Sequence, residues 1–231
     1  MVHPSDTYNA VVLAGGRSSR LGGINKTLLL FDGESLLERT IRAVRGANHI
    51  VVASQRDAPE PGISPTREDL APVSWVRDDE PFGGPAAALA SGLRTLAADP
   101  APWVVVLSAD LPFASAALPT LLDARPATSA SVAAPAAGYI GEDPDGRLQF
   151  LLACYRTADL ESALAAATRP GTGGTRGTLA GTSMKRVLAP LQLVPVPLTA
   201  EWCTDIDTPD DARRHGILLP TLPEHEGAYA R

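Results

Sequence analysis

Three observations place this chain in the α/β class with a doubly wound, mostly parallel sheet. Short apolar runs recur along its first half, stretches of helical period separate them, and the runs end on polar or glycine-rich sequence. Apolar runs without alternation are strands buried on both faces, and strand–helix alternation joins them by right-handed crossovers. A length of 231 residues with 45% hydrophobic and 20% charged side chains supports a packed core. A single domain is expected over residues 7–216, with a disordered tail over 217–231.

The elements follow in order. Residues 8–14 (YNAVVLA) form the first strand, stopped by Gly15-Gly16. Ser35-Leu36-Leu37-Glu38 opens a helix whose stripe of Leu36, Leu37, Ile41 and Val44 ends at Gly46. Residues 49–54 and 73–76 are further strands, the second running into Asp78-Asp79-Glu80. Pro85 suits the first turn of a second helix, which ends near Asp99-Pro100. Residues 103–108 (WVVVLS) give the strongest strand signal, and no element is assigned between Phe113 and Val132. Beyond lie a short apolar run at 132–134, a turn-rich segment at 141–146, and 148–155, which is either a hairpin arm or a strand after a loop. Helices are expected over 160–167 and from Met184 to Leu188, a mobile Gly/Thr-rich stretch over 170–181, and a last strand over 193–196. Such sheets take ligands beyond the carboxyl ends of their strands, so the exits after Ala14, Val76 and Ser108 should converge on one cleft.

Twenty Lys and Arg against 26 Asp and Glu give a net charge of −6, which argues against a protein that coats a nucleic-acid backbone. Any phosphate site is therefore local. Cys154 and Cys203 lack metal spacing and read as reduced thiols, and His3, His49, His215 and His225 are too scattered to form a centre. No basic start precedes an apolar stretch, and no run reaches the ~18 apolar residues of a membrane span, so a cytoplasmic location is expected.

The chemistry concentrates in LAGGRSSRLGGINK, residues 13–26, with four glycines, two arginines and one lysine. Gly15 and Gly16 let backbone N–H groups approach phosphate oxygens, while Arg17, Arg20 and Lys26 supply cations. A lone glycine pair is more often a surface turn; here the whole pattern overrides that reading. It is neither GxxxxGK[ST] nor GxGxxG, which disfavours kinase and dehydrogenase readings. Asp110 follows a strand exit as a metal ligand would, with helix capping as the alternative. Asp205 and Asp207 alternate, so an extended segment turns both to one side and Ile206 to the other. Asp207 or Thr208 fits the cap of a following helix, which leaves Asp205 as the candidate metal ligand. Asp78, preferred to Asp79, has the chemistry to accept from a guanine N1–H and N2 amine, against the alternative of a solvated loop. Lys185-Arg186 or Arg176 are the cations available to a second phosphorylated substrate, although for any one of them a flexible surface loop is the commoner reading.

LAGGxxxRxGGxxK at the first strand exit resembles the signature loop of nucleotidyltransferases, most closely that of the molybdenum cofactor guanylyltransferase (MobA) family. The resemblance continues through LLLFDGESLLERTI, RDDEPFGGPAAAL with Asp78, SADLPF with Asp110, FLLACYR at 150–156 and DIDTPDDARR at 205–214, covering residues 10–214. It implies a Rossmann-like three-layer α/β/α fold and transfer of GMP from Mg–GTP to molybdopterin cofactor, releasing pyrophosphate. It also implies nucleotide contacts from Leu13, Ala14, Gly15, Gly16, Arg17, Arg20, Lys26, Asp78, Gly84 and Pro85, and Mg²⁺ on Asp110 and Asp205. GTP, molybdopterin and molybdoenzyme maturation proteins are the implied partners, with no nucleic acid and no membrane. Asn25 stands where the family often has Asp, Ala86-Ala87-Ala88 replaces the end of a GPLAG segment, and Asp205 and Asp207 replace asparagines as in related cytidylyltransferases. Two rivals follow: a cytidylyltransferase of the same fold, and a non-catalytic nucleotide-binding module that delivers the cofactor. In the transfer itself Lys26 suits the α-phosphoryl oxygens and Arg20 the β- and γ-phosphates.

Overall fold

Both faces of the first strand are buried. In β1 (Tyr8–Leu13), Ala10 and Val12 point to one side of the sheet and Val11 and Leu13 to the other, and each pair enters a separate apolar core. The computed structural model describes residues 7–15, 25–55, 71–80, 82–125, 136–171 and 177–218. Within them, β2 (Leu30–Phe31) and β3 (Glu34–Ser35) make a small hairpin that leads into α1 (Leu36–Ala43). Then come β4 (Ile50–Ser54), β5 (Val73–Arg77), α2 (Pro85–Leu96), β6 (Trp103–Ser108) and α3 (Ala114–Asp123). The later part adds β7 (Gly138–Glu142), β8 (Leu148–Arg156), α4 (Thr157–Ala167), α5 (Met184–Leu188), β9 (Leu193–Pro197) and α6 (Pro209–Arg214).

The large sheet has the order β5-β4-β1-β6-β8-β7-β9. Its first four strands are parallel, β8 runs antiparallel to β6 and β7, and β9 is parallel to β7. Leu37 and Ile41 of α1 and Leu118 and Leu121 of α3 cover one face; Leu89 and Leu93 of α2, Leu160 of α4 and Val187 of α5 cover the other. The three-layer, mostly parallel architecture expected from the alternation is therefore present.

Local chemistry explains the boundaries. Ser35 Oγ accepts from Glu38 N–H at 3.1 Å while the Glu38 carboxylate accepts from Ser35 N–H at 3.2 Å, a capping box that starts α1. The segment 148–155 is resolved as a hairpin arm. Its turn is held by Asp143 Oδ1, which accepts from Asp145 N–H at 3.0 Å and Arg147 N–H at 2.9 Å, and Gly146 takes φ +78°. Helix α3 lies where no element was assigned. Pro112 precedes it and Pro119 sits inside it, yet Ala114, Ala117, Leu118 and Leu121 are all buried, so packing outweighs the one backbone bond that Pro119 forfeits. At the other end, Ile217 is buried beside Ile206 and Ala212, and Leu218 N–H donates to Leu30 O at 2.9 Å. The docked chain thus runs two residues beyond the boundary expected at 216. The run at 132–134 and residues 219–231 lie outside the described residues.

Candidate active site

Three strand exits meet at the carboxyl edge of the sheet, each set by a backbone bond that prolongs the ladder. Ala14 N–H donates to Ala53 O at 2.8 Å, Ala109 N–H to Leu13 O at 3.0 Å, and Asp78 N–H to Ser54 O at 2.9 Å. They enclose a cleft of about 410 Å³ whose wall includes Leu13, Ala14, Gly15, Lys26, Asp78, Gly84, Pro85 and Asp110. This is the convergence expected for a doubly wound sheet. Gly84, at φ +96°, turns the chain into Pro85 and brings the first turn of α2 to the cleft edge.

Lys26 opens a 3-10 turn at Lys26–Leu28, whose start is capped by Asn25: its Oδ1 accepts from Thr27 N–H at 3.2 Å and from the Thr27 hydroxyl at 2.8 Å. The Asn25 amide oxygen thus fixes the turn that carries Lys26. The ammonium is in hydrogen-bonding contact with Asp110 Oδ2 and lies 2.9 Å from Asp207 Oδ1. Ile206 N–H donates to Asp110 O at 3.1 Å and its side chain is fully buried, so the flanking Asp205 and Asp207 turn back toward Asp110. Carboxylate oxygens of Asp110, Asp205 and Asp207 lie within 4.8 Å of one another. Thr208, with Asp211 reciprocating, caps α6, and α3 has no side-chain cap at all. Neither Asp207 nor Asp110 is therefore a helix cap.

Charge in this cluster is mutually supporting. Burial alone would lower the Lys26 pKa, but attraction and hydrogen bonding to Asp110 and Asp207 outweigh it and hold the amine above its ordinary value. Desolvation, and then repulsion from Asp110 and Asp207, raise Asp205, the most exposed of the three carboxylates. Asp78 is buried, and its Oδ1 accepts from Glu80 N–H at 3.0 Å, whereas Asp79 pairs with Arg94 on α2. The adjacent acids are thereby separated, one in the cleft wall and the other against a helix.

A second hollow of about 370 Å³ shares Lys26, Asp110 and Leu151 with the first and adds Asp205, Asp207, Phe150 and Met184. Lys185 and Arg186 are exposed on α5 and line neither hollow. Gly16, Arg17, Arg20 and Arg176 lie outside the described residues. Sequence reasoning passed over Gln55, Phe82 and Leu151, which also line the cleft, and gave Asp207 no place beside Lys26. For Asp207 a signal existed: Thr208-Pro-Asp-Asp211 is a capping box in itself, which frees the preceding carboxylate for the cleft. Gln55 and Leu151 carried none.

Residues 10–187, most of the chain and the segment holding Lys26, Asp78 and Asp110, match the MobA-like NTP transferase domain. The chain belongs to this family. Relatives of the MobA-like domain include molybdenum cofactor guanylyltransferases from Acidiphilium cryptum, 35% identical over 133 residues (57% of this chain, 65% of that protein), and Xanthomonas euvesicatoria, 42% identical over 114 residues (48% and 51%). The matched part spans about half to two thirds of the length of these curated relatives. Among solved structures, molybdopterin-guanine dinucleotide biosynthesis protein A from Archaeoglobus fulgidus superposes with a TM-score of 0.60 at 21% identity, covering 90% of this chain and 96% of that one. The 2-C-methyl-D-erythritol 4-phosphate cytidylyltransferase of Thermus thermophilus gives 0.54 at 20% identity, covering 89% and 95%. These two share the fold of the MobA-like domain. Among the described residues, no helix is long and apolar enough to cross a membrane.

Proposed function

We propose that this MobA-like domain transfers GMP from Mg–GTP to molybdopterin cofactor, giving the guanine dinucleotide and pyrophosphate. The observation that carries the reading is the Lys26 ammonium set between Asp110 and Asp207 in the cleft at the exit of β1, where Ala14 and Gly15 line the wall. Relatives named molybdenum cofactor guanylyltransferase support the same choice of nucleotide and acceptor.

In this reading the triphosphate lies over the backbone of Leu13, Ala14 and Gly15, and Gly16, Arg17 and Arg20, next in the sequence, supply further N–H groups and cations. Guanine sits against Asp78, Gly84 and Pro85, where the Asp78 carboxylate accepts from N1–H and the N2 amine. The acceptor phosphate attacks the α-phosphorus and pyrophosphate departs; Lys26 stabilises charge on the α-phosphoryl oxygens and Arg20 on the leaving group. An ionised phosphate is already a nucleophile near neutrality, so no protein base is required. The apolar wall of Phe150, Leu151 and Met184 receives the body of the acceptor.

The clustered carboxylates offer hard oxygen donors of the kind magnesium takes, so the residues fit the ion. Asp110 and Asp205 would hold it, and when bound it supplies charge neutralisation at the phosphate oxygens. The test is a thermal-shift titration with GTP, CTP, ATP and UTP, each with Mg²⁺, because selective binding raises apparent stability by mass action. A GTP-selective shift followed by pyrophosphate release with molybdopterin is the expected result. A larger CTP shift replaces the reading with a cytidylyltransferase, and tight GTP binding without pyrophosphate release replaces it with a delivery module.

A further inference from the structure

The acidic run after β5 sends its three carboxylates in three directions. Asp78 enters the cleft wall, Asp79 pairs with Arg94, and Glu80 reaches a segment about 100 residues further along the chain. Glu80 Oε2 accepts from the Thr178 hydroxyl and from Ala180 N–H at 2.9 Å, and Oε1 accepts from Leu179 N–H at 3.1 Å. Beside them, Gly181 N–H donates to Gly83 O at 2.8 Å. The strap at 177–181 is held from its other side by Arg169, which exchanges two 3.0 Å backbone bonds with Thr178 and donates from its guanidinium to Ala180 O. Part of the stretch expected to be mobile is thus tied down.

The loop at the near end of these bonds is tightly turned. Gly83 N–H donates to Glu80 O at 2.7 Å, and a Cβ on Gly83 would lie 2.8 Å from that oxygen. Phe82 takes φ +59°, a conformation that a bulky side chain keeps only where its surroundings dictate it. Phe82 is 56% exposed and lines the cleft with Asp78, whose carboxylate is held by Glu80 N–H. One residue therefore grips the Asp78 carboxylate with its backbone and the strap with its side chain, while that side chain lines no part of the cleft.

We infer that Glu80 is a positioning residue: by clasping the strap at 177–181 it fixes the turn that presents Asp78 and Phe82 to the nucleobase. The inference rests on the nucleotide reading above and assigns to the clasp the selectivity between bases. A loop ordered in advance spares the ligand the cost of ordering it, and a carboxylate taking three donors is a strong clasp.

The test uses the full chain with Mg–GTP and Mg–CTP as probes and the variants Glu80→Ala, Glu80→Gln and Thr178→Ala. Calorimetric Kd values, Tm and amide hydrogen exchange over 78–84 and 177–181 are read for each. With the fold retained by circular dichroism, Glu80→Ala is expected to weaken the preferred nucleotide about tenfold and to narrow the GTP/CTP ratio, within the usual range of coupling between neighbouring sites. Glu80→Gln, which keeps one acceptor oxygen, falls between, and Thr178→Ala gives a smaller loss in the same direction. Exchange should rise at Leu179 and Ala180 and spread to 78–84. Wild-type Kd values and ratio in both Glu80→Ala and Thr178→Ala overturn the inference, as does faster exchange confined to the strap. If the unaltered chain binds neither nucleotide, the nucleotide reading fails and takes the selectivity role with it; the exchange data distinguish that failure from an absent clasp.

Discussion

Lys26 and Asp110 bring opposite charges into contact where the proposed chemistry needs a cation beside phosphate and an anion beside metal. Lys26→Ala or Asp110→Ala is expected to lower turnover by about a hundred- to a thousandfold, the scale seen when one preorganised charge-stabilising group is removed. Circular dichroism should show the fold retained, because the sheet and both cores lie beneath the cluster. Asp78 tests the opposite balance. Burial, and then repulsion from Glu80 and Asp79, raise its carboxyl above the usual range despite the Glu80 N–H bond. A raised carboxyl makes the ionised form a cost to folding that is fully present above the folded pKa and absent below the unfolded one. At neutral pH, Asp78→Asn is therefore expected to raise Tm while weakening GTP selectivity, a trade measurable by thermal melts and nucleotide titration on one sample. A fall in Tm would place the carboxylate's role in structure.

At the scale of elements, α2 packs so closely on β1 that a Cβ at Gly92 would lie 2.7 Å from Val11 Cγ1. Helix propensity alone favours Gly92→Ala, but Val11 is fully buried and β-branched and cannot swing away. The substitution should cost about 1–3 kcal/mol in urea denaturation, the range for overpacking. The clasp on the strap gives a pH prediction. Burial raises the Glu80 carboxyl, but the Thr178 hydroxyl, the Leu179 and Ala180 N–H groups and Arg169 outweigh it and hold the pKa below the ordinary glutamate value. Its contribution is therefore full above that ordinary value and is lost as pH falls through the lower, folded one. Exchange protection of the Leu179 and Ala180 amides should decline only in distinctly acid solution and should lose this dependence in Glu80→Gln. The elements most readable in sequence were those whose signal was local: the paired valines of β1, the Ser35–Glu38 box and Pro85 at the start of α2. Helix α3 was unreadable because Pro112 before it and Pro119 inside it speak locally against a helix, and only the tertiary burial of Leu118 and Leu121 reverses them.

For the whole molecule, the same contrast separates the architecture from the details of the site. Alternating apolar runs and helical stripes required three layers, and the switch from strand to glycine at Leu13–Gly15 located the cleft edge, because both follow from periodicity. The neighbours of Lys26 do not. Asp207 stands 181 residues away and Asp110 stands 84 away, so their meeting depends on β1 lying beside β6 and on residue 206 joining the Asp110 carbonyl. That long span also governs when the site can come into existence during synthesis. The hairpin of β7 and β8 closes over a short turn and can form early, whereas contacts of such sequence separation bear a larger loop-closure cost and form late. During synthesis Lys26 and Asp110 both emerge well before Asp205 and Asp207, so the cluster stays incomplete until those residues follow. Competence at the cleft therefore reports that the chain has been made and folded through residue 207.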